Sequence, residues 1–132
     1  MFYLETSAAV KLVVAERESE AVTSWVADHE AELVSSDLLR TELMRVVKLG
    51  APAHIHRARH VIDSVDMMKL STNIFERAGE IGPESLRSLD ALHLAAALEL
   101  GDYLDGVVTY DVRLADAVAT HGVEVVAPTP LS

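Results

Sequence analysis

Four carboxylates in this chain of 132 residues, Glu5, Glu42, Asp90 and Asp111, stand where an acid can do chemistry. Glu5 follows the apolar run Phe2-Tyr3-Leu4. Asp111 follows Gly106-Val107-Val108-Thr109-Tyr110, the clearest β-branched, apolar run in the chain. An α/β sheet binds its ligands beyond the carboxyl ends of its strands, and both acids belong at that edge. Asp90 sits in the first turn of an Ala- and Leu-rich helix, and Glu42 lies in a helix beside its buried stripe. Acids that meet in space repel one another and cannot all stay ionised unaided. A hard divalent cation such as Mg²⁺ or Mn²⁺ resolves the conflict, because it prefers oxygen ligands and keeps several waters for phosphate substrates. One or two such ions activate water and stabilise a phosphodiester transition state. Taken singly, each acid also fits a plainer role. Asp90 fits first-turn decoration beside a Ser88 cap, Glu5 an exposed loop acid, and Glu42 a solvated surface acid.

The elements that must position these acids read as strands alternating with helices, which argues a parallel sheet with helices on both faces. Phe2-Tyr3-Leu4 predicts a first strand, and Thr6 or Ser7 the cap of a helix over Ala8 to Ala15, with Val10, Val13 and Val14 inward. A second helix runs from Arg17 to about His29 with Trp25 in the core, followed by a strand at Leu33-Val34-Ser35. Ser36 or Asp37 caps a third helix, Leu38 to Leu49, whose stripe is Leu39, Leu43, Val46 and Val47 and whose stop is Gly50. Pro52 opens a fourth helix reaching about Val65. Met68-Lys69-Leu70 reads as a third strand, and a short helix follows from Ser71 or Thr72 through Ile81. Ser88 caps the Asp90 helix, which Gly101 ends; it is apolar nearly all round and therefore buried. After the fourth strand, Gly106 to Tyr110, a last helix spans Arg113 to His121, Gly122 ends it, and Val123 to Val126 form a fifth strand. One domain over 1–132 accommodates all of this.

Composition narrows the function. With no Cys there is no disulfide framework, thiolate zinc site or thiol nucleophile. No basic, apolar leader and no run of about 20 apolar residues is present, so a cytoplasmic protein is the expectation. The net charge of −10 is the wrong sign for general attraction to nucleic acid. Between Arg40 and His60, however, Arg40, Arg45, Lys48, Arg57 and Arg59 face a single acid, Glu42. That strip is a candidate phosphate contact, or equally a solvated helix face. His56 and His60 are four apart on one helix, but no third ligand at matching spacing completes a metal site with them.

Four segments together resemble a known family. They are Tyr3-Leu4-Glu5-Thr6-Ser7-Ala8; Glu42 in Ser36-Asp37-Leu38-Leu39-Arg40-Thr41-Glu42; Ser88-Leu89-Asp90-Ala91-Leu92-His93-Leu94-Ala95-Ala96-Ala97; and Thr109-Tyr110-Asp111-Val112-Arg113-Leu114. They resemble, in order and over the whole length, the PIN-domain ribonucleases, and among these the VapC toxins of toxin–antitoxin pairs. The resemblance implies a three-layer α/β sandwich on a five-stranded parallel sheet and endoribonuclease activity dependent on Mg²⁺ or Mn²⁺. It also implies a homodimer and neutralisation by a cognate VapB antitoxin, whose C-terminal segment lies across the active groove. Carried over, Glu5, Glu42, Asp90 and Asp111 are the metal-site acids, with Asp116, one turn into the last helix, a further candidate ligand. Thr6 and Ser7 match hydroxyl positions that hold a water or a phosphate oxygen. Arg57 and Arg59 would supply local positive charge for RNA beside the metal. The family's first acid is normally Asp. Glu5 is longer by a methylene, and a displacement of about 1 Å in a catalytic group can cost ~10²-fold in rate. Two readings therefore stand: a working nuclease toxin, and a weakened module that acts mainly by binding antitoxin or RNA. A phosphotransfer receiver or an aspartyl phosphatase would need paired acids or Asp-x-Asp after the first strand, where this chain has Glu5-Thr6-Ser7.

Overall fold

A computed structural model describes residues 1–131. Five parallel strands form one sheet in the order β3-β2-β1-β4-β5: β1 (Phe2–Leu4), β2 (Leu33–Ser36), β3 (Asp66–Met68), β4 (Gly106–Val108) and β5 (Val125–Val126). The helices are α1 (Thr6–Val13), α2 (Ser19–Asp28), α3 (Asp37–Gly50), α4 (Ile55–Ser64), α5 (Thr72–Glu80), α6 (Ser88–Leu98) and α7 (Val112–Thr120). Three short 3-10 turns, Glu30–Glu32, Pro52–His54 and Gly101–Tyr103, link them.

Side chains alternate across a strand, so each strand serves two cores. Leu4, Leu33 and Val108 face a layer built by α1 to α4, with Ala9, Leu39, Leu43, Val47 and Ile62 at its centre. Tyr3, Val34 and Val107 face the opposite layer, where Ile74, Leu94, Ala95, Leu114 and Val118 come from α5, α6 and α7. This is the expected three-layer sandwich. The chain order first builds outward from β1 through β2 to β3, then returns to the other side of β1 with β4. The reversal lies between β1 and β4, and the strand ends there carry Glu5 and, beyond Thr109 and Tyr110, Asp111.

Several boundaries differ from the sequence reading for physical reasons. The first helix starts at Thr6, because the Glu5 carboxylate is its cap and accepts the Ser7 N–H at 3.0 Å. Ser88 lies inside α6, whose capping position is Arg87. The third strand sits at Asp66–Met68, not Met68–Leu70, because pairing of Val34 with Asp66 and of Ser36 with Met68 sets its register. As an edge strand it tolerates an exposed Asp66. The fourth strand ends at Val108, and the fifth keeps only Val125–Val126. Val46, expected in the buried stripe of α3, is 46% exposed, while Leu39, Leu43 and Val47 are fully buried. Trp25 is partly buried at the core margin, edge-on to Phe2 and stacked on His29. Gly106 is needed where it stands: a Cβ there would lie 3.2 Å from the Glu124 carbonyl oxygen and 3.3 Å from the Phe2 ring.

Leu94, at the centre of α6, is 1% exposed. Leu94→Ala should lower unfolding stability by about 2–5 kcal/mol, as buried Leu truncations do. Urea denaturation measures this; a loss below about 1 kcal/mol would show that α6 is not the core helix described.

Candidate functional site

The reversal point of the sheet carries most of the polar chemistry. Glu5 is 5% exposed and its carboxylate is fully engaged. Oε2 accepts the Ser7 N–H, while Oε1 accepts the Ser7 hydroxyl at 2.5 Å and the Thr109 hydroxyl at 2.6 Å. The carboxylate folds back onto the start of its own helix. The Ser7 hydroxyl also accepts the Tyr110 N–H at 2.8 Å, and Thr109 Oγ1 accepts the Asp111 N–H at 3.1 Å. The β4–α7 corner is thus tied to Glu5 by hydroxyl bridges.

Glu42 reaches the same edge from the first turns of α3. Its Oε1 accepts the Thr6 hydroxyl at 2.7 Å and lies 2.5 Å from His93 Nε2 on α6. Burial pushes the Glu42 carboxyl up, but the His93 hydrogen bond, the charge of a protonated ring and the Thr6 hydroxyl together outweigh it. The net effect holds Glu42 below the usual carboxylate range, so it is an anion at neutral pH.

Asp90 and Asp111 differ from these two. They line one open hollow of about 260 Å³ together with Arg87, Val112 and Arg113. Asp111 caps α7, its Oδ1 accepting the Leu114 N–H at 3.0 Å. Among the described residues no side-chain hydrogen bond reaches the Asp90 carboxylate. Burial first, then the neighbouring charges of Asp111 and Glu5, raise its carboxyl above the usual range, with His93 opposing. The fold therefore does bring Glu5, Glu42 and Asp111 within electrostatic reach of Asp90.

The structure does not gather every expected residue. Asp116 is exposed on α7 and is not among the residues lining the hollow. Arg57 donates its Nε–H to the Leu12 carbonyl and lines a groove with Leu33, the first residue of β2. That groove is at the opposite sheet edge from Glu5, because α1 has crossed the sheet by the time it reaches Leu12. Arg59 is exposed on the same helix as Arg57. The positive charge beside the acids comes instead from exposed Arg87 and Arg113, three residues before Asp90 and two after Asp111. Their proximity in sequence to the acids was the available signal. Thr6 and Ser7 spend their hydroxyls on Glu42 and Glu5, so here they orient the acids. His93 also escaped the sequence reading, since a lone His in an Ala/Leu helix reads as core.

The donor set bears on the metal that these acids imply. Among the described residues, no three His, Asp or Glu converge as a ready-made metal cage. Glu5 is held by hydroxyl and backbone N–H donors just behind the hollow, and Asp116 lies outside its lining. Asp90 and Asp111 are the two expected acids that line it, a mutually repelling pair of carboxylates in an open hollow. That suits Mg²⁺-like ions, which use one or two carboxylates plus waters and substrate phosphate.

Comparison with known proteins now decides the family. The PIN domain description matches residues 2–119. The chain belongs to the PIN-domain family. This PIN domain is 39% identical over 132 residues to Ribonuclease VapC47 of Mycobacterium tuberculosis, with 97% of each chain covered. Its fold superposes with a TM-score of 0.74 on the crystal structure of Mycobacterium tuberculosis VapC20, described as a Sarcin-Ricin loop cleaving toxin. That match is 13% identical and covers 89% of this chain and 95% of the other. A toxin–antitoxin complex from Klebsiella pneumoniae matches with a TM-score of 0.72 at 19% identity, over 99% of this chain and 100% of that one. PIN-domain ribonucleases as a family depend on divalent metal. No helix of the described residues is long and apolar enough to cross a membrane.

A raised carboxyl means that the folded state gains stability from the protonated form. That gain is complete below the unfolded pKa and is lost as pH rises through the folded one. Above that window Asp90 opposes folding unless a cation is present. Asp90→Asn should therefore melt no lower than the parent at pH 7.5 without metal, and added Mn²⁺ should raise the melting temperature of the parent but not of the variant. A variant that Mn²⁺ stabilises as much as the parent would remove Asp90 from the metal site.

Proposed function

We propose that this chain is a VapC-type endoribonuclease toxin that hydrolyses RNA phosphodiester bonds at the Asp90–Asp111 hollow. The observation that carries the reading is the pairing, in a family of ribonucleases, of two carboxylates facing an open hollow with Arg87 and Arg113 at the sheet's reversal point. Mg²⁺ or Mn²⁺ held by Asp90 and Asp111 would polarise a phosphate oxygen and lower the pKa of a bound water. The protein's own residues do the rest. Arg87 and Arg113 draw in a phosphate and keep the backbone of the RNA over the acids. Glu42, held ionised and within electrostatic reach of Asp90, would serve as a proton acceptor for the attacking water. Glu5 adds negative field and holds the β4–α7 corner in place.

A VapB-type antitoxin is the partner we infer, supported by the family and by the fold shared with toxin–antitoxin complexes. A homodimer of single PIN domains spanning 1–132, acting in the cytoplasm where its RNA substrate lies, completes the reading. The alternative, a weakened module that acts by binding, draws its support from Glu5, whose carboxylate is committed to Ser7 and Thr109.

Digestion of total RNA separates these readings. The parent should cut RNA when Mn²⁺ is supplied, and Asp90→Asn should lose at least ~10²-fold in rate. No cleavage by the parent with either metal would overturn the nuclease reading. Glu5→Asp should bind Mn²⁺ more tightly and cut faster than the parent; equal rates would show that the longer acid costs nothing. Charge reversal of Arg87 and Arg113 should weaken RNA binding and reduce its dependence on log[salt]. An unchanged salt slope would place the RNA elsewhere.

A further inference from the structure

A buried polar chain crosses the molecule behind the acids, linking residues from β1, β2, α6 and α3. Ser36 Oγ lies 2.8 Å from the Tyr3 hydroxyl, which lies 2.7 Å from His93 Nδ1. On the other side of the ring, Nε2 lies 2.5 Å from Glu42 Oε1. Ser36, Tyr3 and His93 are essentially without solvent exposure, and among the described residues no buried side-chain nitrogen or oxygen lacks a partner. The Tyr3 and His93 rings meet nearly edge-on, with centroids 5.7 Å apart, which restricts rotation of the imidazole.

We propose that His93 is the positioning residue for Glu42: the Ser36–Tyr3–His93 chain holds the imidazole so that its Nε2–H points the Glu42 carboxylate at the reaction site. The inference rests on the ribonuclease reading and adds a residue to it.

The hydrogen-bond directions are consistent. Glu42 is an anion and only accepts, so Nε2 carries the proton that bonds to it. With Nε2 as the donor to Glu42, Nδ1 accepts when the ring is neutral, and a protonated ring keeps the same Nε2–H on Glu42. The Tyr3 phenol, kept protonated by burial, donates to Nδ1 and accepts in turn from Ser36. All donors along the chain thus point toward Glu42. Without the chain, the imidazole could turn over or adopt the other tautomer, and Glu42 would keep only the Thr6 hydroxyl. The logic is that of groups which fix the tautomer and orientation of a functional histidine or carboxylate. Loss of such an orienting partner typically costs about 10- to 100-fold in activity. His93 sits one turn beyond Asp90 on α6, so the same helix that presents one acid to the hollow also aims another.

Steady-state cleavage of a short RNA by the folded full chain tests this through two side chains that imitate different ring nitrogens. Gln places its amide near the position of Nε2, and Asn near that of Nδ1. His93→Asn should lose about 10- to 100-fold in kcat with KM for RNA unchanged within about twofold. His93→Gln, which keeps a donor to Glu42, should recover most of that loss. Tyr3→Phe, which keeps the ring but removes its tether, should lower kcat several-fold with KM unchanged. A downfield, slowly exchanging imidazole Nε2–H signal in ¹⁵N-labelled protein reports the contact without any turnover, and it should disappear in His93→Asn and move in Glu42→Gln. Equal kcat for His93→Asn and the parent would overturn the proposal. So would equal losses in the Asn and Gln variants, or a missing Nε2–H signal in the parent. An inactive parent that still shows the signal would instead break the nuclease reading.

Discussion

Crowding of negative charge at one end of a parallel sheet is the constraint from which the rest of this structure follows. Glu5, Glu42 and Asp111 all lie within electrostatic reach of Asp90 beyond the carboxyl ends of β1 and β4, and each ionised acid there raises the cost of the next. The chain meets that cost differently at each position. Glu5 takes two hydroxyls and a backbone N–H. Glu42 takes a histidine and a hydroxyl. Asp111 takes the N-terminus of α7, where the helix dipole favours an anion. Asp90 receives least, and burial, followed by the charges of Asp111 and Glu5, raises its carboxyl. In the proposed function, a hydrated divalent ion shared by Asp90 and Asp111 would supply the missing charge, and the folded protein carries an electrostatic demand that such an ion would meet.

The supporting shell follows the same economy. Thr6, Ser7 and Thr109 cluster at strand ends because short hydroxyl side chains can bond carboxylates without adding bulk at the edge. Tyr3 and Ser36 sit at strand positions buried under α6, where their hydroxyls would be costly to leave unpaired. His93 joins the two sets. It turns what would be isolated buried hydroxyls into a continuous chain ending on Glu42, and it binds α6 to α3 across the sheet edge. Stability and site geometry depend on the same bonds here, so substitutions in this chain act on both.

Much of this was legible in the sequence, for reasons that can be traced. Strand and helix order emerged because Phe2-Tyr3-Leu4 and Gly106-Val107-Val108 are short apolar runs, while α3 carries a helical stripe and α6 is apolar nearly all round. Glu5 and Asp111 stood out because they follow strands and Asp90 because it lies in the first turn of a buried helix, where α/β sheets place chemistry; Glu42, in the second turn of α3, stood out only as an acid beside that helix's buried stripe. Register was not: β3 slid two residues because its pairing with β2, and not its own hydrophobicity, decides where it lies. Nor was the cap of α1, since Thr6 and Ser7 are better capping types than Glu5 but were drawn to the carboxylates. Arg57 and Arg59 looked like RNA contacts because they are dense in sequence, yet α4 packs on the far end of α1. His93 bonds to Tyr3 and Glu42, 90 and 51 residues away, and no local pattern encodes such contacts.

Calorimetric titration of Mn²⁺ into the purified chain, its Asp111→Asn variant and its Asp116→Asn variant tests the central claim most directly. Saturable binding that is abolished in Asp111→Asn and intact in Asp116→Asn is the predicted result. Binding that survives loss of Asp111, or that depends on Asp116, would contradict an ion shared by Asp90 and Asp111 as the counterpart of the crowded acids.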